Sequence, residues 1–333
     1  MRALSLKAAE GVQAVSLETI PMPEPGPGEI RVALKAASLN HRELWITRGL
    51  YPGMSLPATL GADGAGVVEA VGQGVDTAML GREVVLYPGL NWGDDPDYPA
   101  AAFGLLGMPG PGTLSDAIVV PADSAVAKPA HLDFAAAAAL PLGALTAWRG
   151  LVTKGRVKAG DKVLVTGIGG GVATFALKLA LALGADVFVT SGSDSTLDQA
   201  SALGAKAGFN YRRKDWGKAL AKCSGGIDLV FDSAPASGYP VYGHALAMGA
   251  RVVMYGATGG TVFNVSAPEL FLKNVQIVGT NVGNLAEFKA VIGFIADHKI
   301  EPVIDRAFSL TDAKAGLEYL ENSHAFGKVV ITP

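Results

Sequence analysis

Cysteine is nearly missing from this sequence: 333 residues hold one, Cys223. A single thiol excludes a disulfide framework within the chain and any cysteine-rich structural zinc site. Basic clusters are equally scarce. Twenty-seven Lys and Arg stand against thirty Asp and Glu, a net charge of −3, and the longest basic run is Arg212-Arg213-Lys214. Sequence-independent grip on nucleic acid draws on many cation–phosphate contacts, so no nucleic-acid partner is expected. Long apolar runs are absent as well. The longest, Gly171 to Leu183, is broken by Lys178 and falls short of the roughly twenty residues that span a bilayer. Met1 to Glu10 alternates too quickly to be the apolar core of a signal peptide. These absences predict a soluble cytoplasmic protein without a membrane partner. His41, His131, His244, His298 and His324 lie far apart without metal-ligand spacing, and no Gly-x-Ser-x-Gly elbow is present. Cys223, beside Ser224-Gly225-Gly226, reads as a packing or surface residue rather than a nucleophile.

What is present is apolar bulk. Half the residues are hydrophobic and 17% are charged, which excludes a mainly disordered chain. The length suits about two domains. Before residue 130 the sequence runs in short β-rich segments punctuated by Gly and Pro: Val12–Glu18, Ile30–Ala36, Gly64–Val71, Glu83–Tyr87 and Leu114–Val120. This spacing predicts a partly barrel-like β domain, with Pro21 to Gly28 as a connection rather than a sheet interior. After residue 130 strand and helix patterns alternate. Strands are expected at Lys162–Thr166, Asp186–Thr190, Ala207–Asn210, Ile227–Asp232, Arg251–Tyr255 and Val275–Gly279. Helices are expected at Ala135–Leu140, Val172–Leu183, Ser195–Leu203 with Asp194 as cap, Trp216–Ala221, Tyr239–Met248 and Leu285–His298. That alternation predicts a doubly wound parallel sheet, and a short strand, Lys328–Ile331, comes near the end of the sequence.

The sharpest local signal is Val163-Leu164-Val165-Thr166-Gly167-Ile168-Gly169-Gly170-Gly171-Val172-Ala173, a strand running through glycines into a helix. Glycines there allow a tight turn and close approach of a pyrophosphate, and the free N–H groups of the helix start favour its charge. The match to G-x-G-x-x-G is imperfect: Gly167 and Gly169 fit, but Val172 holds the third place. At the end of the second strand, where a carboxylate would hydrogen-bond the ribose hydroxyls of NAD, the sequence reads Thr190-Ser191-Gly192-Ser193. Small hydroxyl residues leave room for the 2′-phosphate of NADP. Tyr211 and Arg212, with Arg213, follow the third strand within reach of it, or form only a solvated surface run.

Several further segments, in order, match one family. They are Pro25-Gly26-Pro27-Gly28-Glu29-Ile30-Arg31-Val32, Ser38-Leu39-Asn40-His41-Arg42-Glu43, Gly61-Ala62-Asp63-Gly64-Ala65-Gly66 with Val67 to Gly72, Leu140 to Trp148, and Phe326-Gly327-Lys328-Val329-Val330. Over essentially its whole length the chain resembles the medium-chain dehydrogenase/reductase superfamily, and most closely its zinc-free quinone oxidoreductase and enoyl reductase branch. The resemblance implies an α/β chain of two domains. One is a GroES-like β-barrel catalytic domain over 1–127 and 300–333; the other is a Rossmann doubly wound parallel-sheet domain over 128–299, with the active site in the cleft between them. It also implies a homodimer through the Rossmann edge strand, 275–282.

In the zinc enzymes of the family, Cys, His and Cys hold a catalytic zinc with a Glu beside them. The matching positions here are Asn40, Ala62 and Leu142, with Asp63 for the Glu. None of the first three is a zinc ligand, so no metal is expected. The resemblance puts Asn40 and Tyr51 forward as the polar catalytic groups and Trp45 and Asp63 beside substrate, although Asn40 could serve only a loop and Tyr51 only packing. On the cofactor side it implies Thr146, Gly167, Gly169, Gly170, Gly171, Val172, Ser191, Tyr211, Arg212, Gly256, Asn281 and Val282, with Lys328 approaching the phosphates. The implied activity is NADP(H)-dependent hydride transfer to a quinone or a carbonyl-conjugated double bond. Metal-free aldehyde or ketone reduction, and a nucleotide-binding sensor with little turnover, remain open.

Overall fold

A computed structural model describes residues 1–322 and 325–333. His324 lies outside the described residues. The chain divides into two compact units, Met1–Leu142 with Gly283–Pro333, and Gly143–Val282.

In chain order the first stretch carries β1 (Arg2–Leu6), β2 (Val15–Thr19), β3 (Glu29–Leu39), α1 (His41–Thr47), β4 (Ala58–Thr59), β5 (Asp63–Val71), β6 (Glu83–Leu86), β7 (Gly89–Leu90), β8 (Gly104–Leu105), β9 (Ala117–Pro121) and β10 (Ala125–Ala127), then α2 (Phe134–Ala138) and α3 (Pro141–Trp148). The second unit continues with β11 (Lys162–Val165), α4 (Gly171–Ala182), β12 (Asp186–Ser191), α5 (Asp194–Ala202), β13 (Ala207–Asn210), α6 (Trp216–Ser224), β14 (Ile227–Asp232), α7 (Pro235–Tyr242), β15 (Leu246–Met254), α8 (Ala267–Lys273) and β16 (Gln276–Gly279). The chain then returns to the first unit with α9 (Leu285–His298), β17 (Ile304–Ser309), α10 (Ala313–Asn322) and β18 (Lys328–Thr332).

In the first unit β3 is the organiser. It pairs antiparallel with β5, β9 and β18, and the sheet runs β10-β6-β5-β3-β18-β17, with β2-β1-β4 as a second sheet. Alternate residues along the first part of β3 are buried, so one face feeds a core of Ile30, Val32, Val68, Val84, Leu86 and Ile118. A second cluster gathers Leu4, Leu6, Leu39, Ile46, Leu114, Leu317 and Ile331 from residues far apart in sequence. Each such side chain contributes roughly 1.5–3 kcal/mol by leaving water.

In the second unit all pairings are parallel and the order is β13-β12-β11-β14-β15-β16. This is the doubly wound order in which the chain reverses direction across the sheet between its first and fourth strands, here β11 and β14. Helices cover both faces, which is why β11 and β14 read as unbroken apolar runs: Val163, Leu164, Val165, Leu229, Val230 and Phe231 are all fully buried.

Several sequence expectations shift. The domain breaks fall at 142/143 and 282/283 rather than at 127/128 and 299/300. The pattern changes from strand to helix near residue 130, but α2 packs on β3 and β5 and so stays with the barrel. Phe288 of α9 likewise packs against Tyr87 in the first unit. The cap of α5 is Ser193, whose hydroxyl accepts the Thr196 N–H, and Asp194 is the first helical residue. The expected helix to Met248 stops at Tyr242, and Leu246 already pairs with Ile227 as strand. Residues 12–14 form a single tight turn of helix before β2. Among the described residues no helix is long and apolar enough to cross a membrane.

Candidate active site and nucleotide cradle

Strand register builds a polar knot in the first unit. Ser38 of β3 faces Asp63 of β5 on one side and Val330 of β18 on the other. Asn40 follows the end of β3, Asp63 opens β5 and Lys328 opens β18, so three strand ends deliver three polar side chains to one place. The Lys328 ammonium donates to Asp63 Oδ2 at 2.8 Å and to Asn40 Oδ1 at 2.6 Å. Asn40 Nδ2 donates to Asp63 Oδ2 at 2.9 Å, as does the Ser38 hydroxyl at 2.9 Å. The Leu142 N–H reaches the other oxygen, Oδ1, at 2.8 Å. Asp63 is fully buried and Lys328 is 3% exposed. Burial of the two side chains is compensated because they are paired with each other and hydrogen-bonded to their neighbours.

A second buried ion pair lies next to it in sequence. Arg42 bonds Glu43 Oε1 at 3.0 Å and the Leu106 and Met108 carbonyls. Glu43 Oε2 accepts the Asn40 backbone N–H at 2.7 Å. Burial pushes the Glu43 carboxyl above the usual carboxylate range, although Arg42 opposes the shift. The Arg42 guanidinium also sits over the Tyr51 ring, 4.8 Å from its centre. Tyr51 is half-buried against the apolar cluster, and its hydroxyl has no protein partner among the described residues. Trp45 is 45% exposed, with Arg48 over its ring. His41 is open to solvent on one side, yet desolvation by the surrounding protein and then the Lys328 ammonium hold its imidazole below the ordinary pKa.

The second unit gathers the residues expected to hold a nucleotide at the carboxyl ends of its strands. Gly167, at φ +65°, turns the chain out of β11, a conformation that disfavours any side chain. The Gly167 and Ile168 N–H groups are tied to Thr190. Gly170 caps α4 with no side chain covering the helix start, so the first-turn N–H groups of Gly171 and Val172 are left for an anion. Gly256 passes so close to Ser233 that a Cβ there would lie 3.0 Å from its carbonyl oxygen. At the tip of β12 Ser191 is buried and accepts the Ser193 N–H. Asp194, the nearest carboxylate in sequence, is turned to Asn210 at 2.8 Å and Arg213 at 3.2 Å, which together hold its pKa down. Tyr211 and Arg212 are exposed, and the Arg212 guanidinium has no protein partner among the described residues. Thr146 is buried, Asn281 exposed and Val282 half-buried. A dinucleotide with its pyrophosphate at α4 fits these groups.

Two expectations change with this geometry. Asp63 cannot touch substrate, because its side chain is fully buried and both oxygens are filled by protein donors. Lys328, expected at the cofactor phosphates, has its ammonium engaged by Asp63 and Asn40 inside the first unit. Sequence reasoning also misses Ser38, the Leu142 N–H and the Arg42–Glu43 pair. The available signal is a lysine and an aspartate standing alone inside otherwise apolar or small-residue strand sequences, Gly327-Lys328-Val329-Val330 and Ala62-Asp63-Gly64-Ala65.

Comparison with known proteins agrees with both halves. A family model described as an alcohol dehydrogenase GroES-like domain matches residues 26–130, and one described as a zinc-binding dehydrogenase matches residues 171–297. A zinc-type alcohol dehydrogenase-like protein of Leptosphaeria maculans is 38% identical, with 98% of each chain covered. The chain belongs to the medium-chain dehydrogenase/reductase superfamily. A crotonyl-CoA reductase of Streptomyces avermitilis is 28% identical over 98% of this chain and 83% of its own. A crystal structure of an NAD-dependent alcohol dehydrogenase superposes with a TM-score of 0.94 at 37% identity, covering all of both chains. The chain is accordingly an enzyme of the oxidoreductase type. The zinc implied by some of these names does not fit the residues present. Asn40, Ala62 and Leu142 stand where thiolates and an imidazole would be needed, and Asp63 is filled by protein donors. Among the described residues no group of three or more His, Cys, Asp or Glu is placed to hold a metal ion.

Proposed function

We propose that this protein is an NADP(H)-dependent reductase of quinones or carbonyl-conjugated double bonds that works without zinc. The observation that carries the reading is the character of the knot at the end of β3. It offers a neutral donor, the Asn40 amide, in place of a metal ligand set, and Tyr51, under the Arg42 guanidinium, adds a hydroxyl with no protein partner among the described residues. An unactivated ketone needs a metal or a strong acid at its oxygen as hydride arrives. A conjugated acceptor spreads the incoming charge to a distant oxygen, where two neutral donors suffice. Trp45 supplies an exposed ring for stacking on a flat acceptor.

The nicotinamide cofactor would supply the hydride; the chain's own groups bind and orient it. The α4 N-terminus takes the pyrophosphate, Ser191 leaves room for the 2′-phosphate, and Tyr211 and Arg212 contact it. Thr146, Gly256, Asn281 and Val282 line the nicotinamide end. The β16 edge, unpaired on its outer side among the described residues and preceded by exposed Phe271 and Leu272, supports assembly as a homodimer.

The test is NADPH oxidation across a panel of quinones, enones and nitroalkenes, set against oxidation of simple alcohols by NADP⁺. Faster turnover of simple alcohols would favour the second reading, metal-free carbonyl chemistry, which the alcohol dehydrogenase names of several relatives support. Absence of turnover on every acceptor would leave a nucleotide-binding protein.

A further inference from the structure

We infer that Lys328 is a positioning residue: its buried ammonium locks the Asn40 amide in the one orientation that aims a free N–H at substrate. This rests on the reading that Asn40 faces substrate. The amide is held from both ends by opposite charges. Its oxygen accepts from the Lys328 ammonium at 2.6 Å, and its nitrogen donates to the Asp63 carboxylate at 2.9 Å. Turning the amide over would set NH₂ against NH₃⁺ and a carbonyl against a carboxylate, so two charge-assisted bonds would become two repulsions. Lys328 and Asp63 cannot move aside to relieve this. They are bonded to each other at 2.8 Å, and Asp63 is also fixed by Ser38 and the Leu142 N–H. The Asn40 backbone is pinned independently through Glu43.

An amide nitrogen carries two hydrogens. One is engaged by Asp63, and the other has no protein partner among the described residues, while Asn40 is only half-buried. The lock therefore leaves one donor of fixed direction on a side chain that is only half-buried. The ammonium on the amide oxygen also draws electron density from the nitrogen and strengthens that donor. A cation placed behind a neutral amide thus serves the site without touching substrate.

The experiment is a mutant cycle in the full chain, with turnover of an enone normalised to the number of NADPH-binding sites found by titration. Lys328→Met is expected to lower kcat tenfold or more with NADPH affinity changed less than twofold. Asn40→Ala is expected to lower it at least as much, and the double variant no further than Asn40→Ala alone. Lys328→Met strands a buried carboxylate, so the variant pair Lys328→Met/Asp63→Asn, which removes both charges, is measured beside it and is expected to show the same loss in kcat. A loss of NADPH affinity at unchanged kcat overturns the lock and assigns Lys328 to the cofactor. A further fall in the Lys328→Met/Asn40→Ala double variant overturns it while leaving the Asn40 reading intact. Unchanged kcat in Asn40→Ala defeats that reading itself, and the lock with it.

Discussion

The Tyr87 hydroxyl donates to the Gly283 carbonyl at 2.8 Å, tying the β6 end of the barrel to the residue where the chain re-enters it, 196 positions later. The side chain is buried, and its ring tilts against Phe288 of α9. One aromatic side chain thus anchors a helix that sequence distance alone would assign elsewhere.

Tyr87→Phe keeps the ring contact and strands a buried carbonyl. The expected cost is about 1 kcal/mol, with no change in the slope of urea unfolding. A variant as stable as the parent would show that water replaces the hydroxyl.

Arg42 is worth more than a surface cation. Removing it by Arg42→Met leaves Glu43 buried and uncompensated, a loss of roughly 3–5 kcal/mol at neutral pH. Glu43 already has a raised folded-state pKa, and loss of Arg42 raises it further. Above the unfolded value near 4.5 the folded state then holds the extra proton, so stability falls as pH rises. Urea unfolding should therefore show the deficit of Arg42→Met shrinking between pH 7.5 and pH 5. A deficit independent of pH would mean that the lost packing on Tyr51, not charge, carries the effect.

His41 has the opposite sign. Its folded-state pKa lies below the ordinary 6.5, so the unfolded chain takes up the proton first on acidification. The contribution is complete above about pH 6.5 and is lost as pH falls through the lowered value. His41→Gln should flatten the stability profile between pH 7 and pH 5. An unchanged profile would place the acid sensitivity at other groups.

NADPH should bind at least tenfold more tightly than NADH, since a charge-assisted bond to the 2′-phosphate is worth roughly 1.5–3 kcal/mol. Arg212→Ala should narrow the ratio, and fluorescence titration of both nucleotides measures it. Arg213→Ala should act less, because that guanidinium is paired with Asp194. Equal affinities in the parent would remove the 2′-phosphate from this reading.

Purified without chelators, the protein should contain no stoichiometric zinc by elemental analysis. One tightly bound zinc per chain would mean that donors other than Asn40, Ala62 and Leu142 assemble a site.

The parallel sheet was legible because its information is local. Apolar runs such as Val163-Leu164-Val165 in β11 and Leu229-Val230-Phe231 in β14 alternate with helix patterns, and Gly167 marks the turn where backbone geometry demands it. The site was legible only in part. The glycine turn stands out by residue type, whereas Asn40 and Tyr51 are put forward by the family resemblance. The partners of Asn40 depend instead on the register of β5 and β18 against β3, and that register brings together residues 265 positions apart. Nothing near Lys328 in sequence announces Asp63. The same holds for the domain break, which is decided by where α2 and α9 pack rather than by composition.

Because β18 completes the sheet beside β3, the order of synthesis matters. The second unit is one continuous stretch, Gly143–Val282, and all six strands of its sheet are synthesised before β17 and β18. The barrel strands emerge first but wait longest. Until β18 arrives, the side of β3 at Ala37, Ser38 and Leu39 is an open edge and Asp63 lacks its cation. The nascent chain therefore has every strand of its second unit before it can complete its first, and the open β3 edge is the part exposed to wrong pairing in the interval.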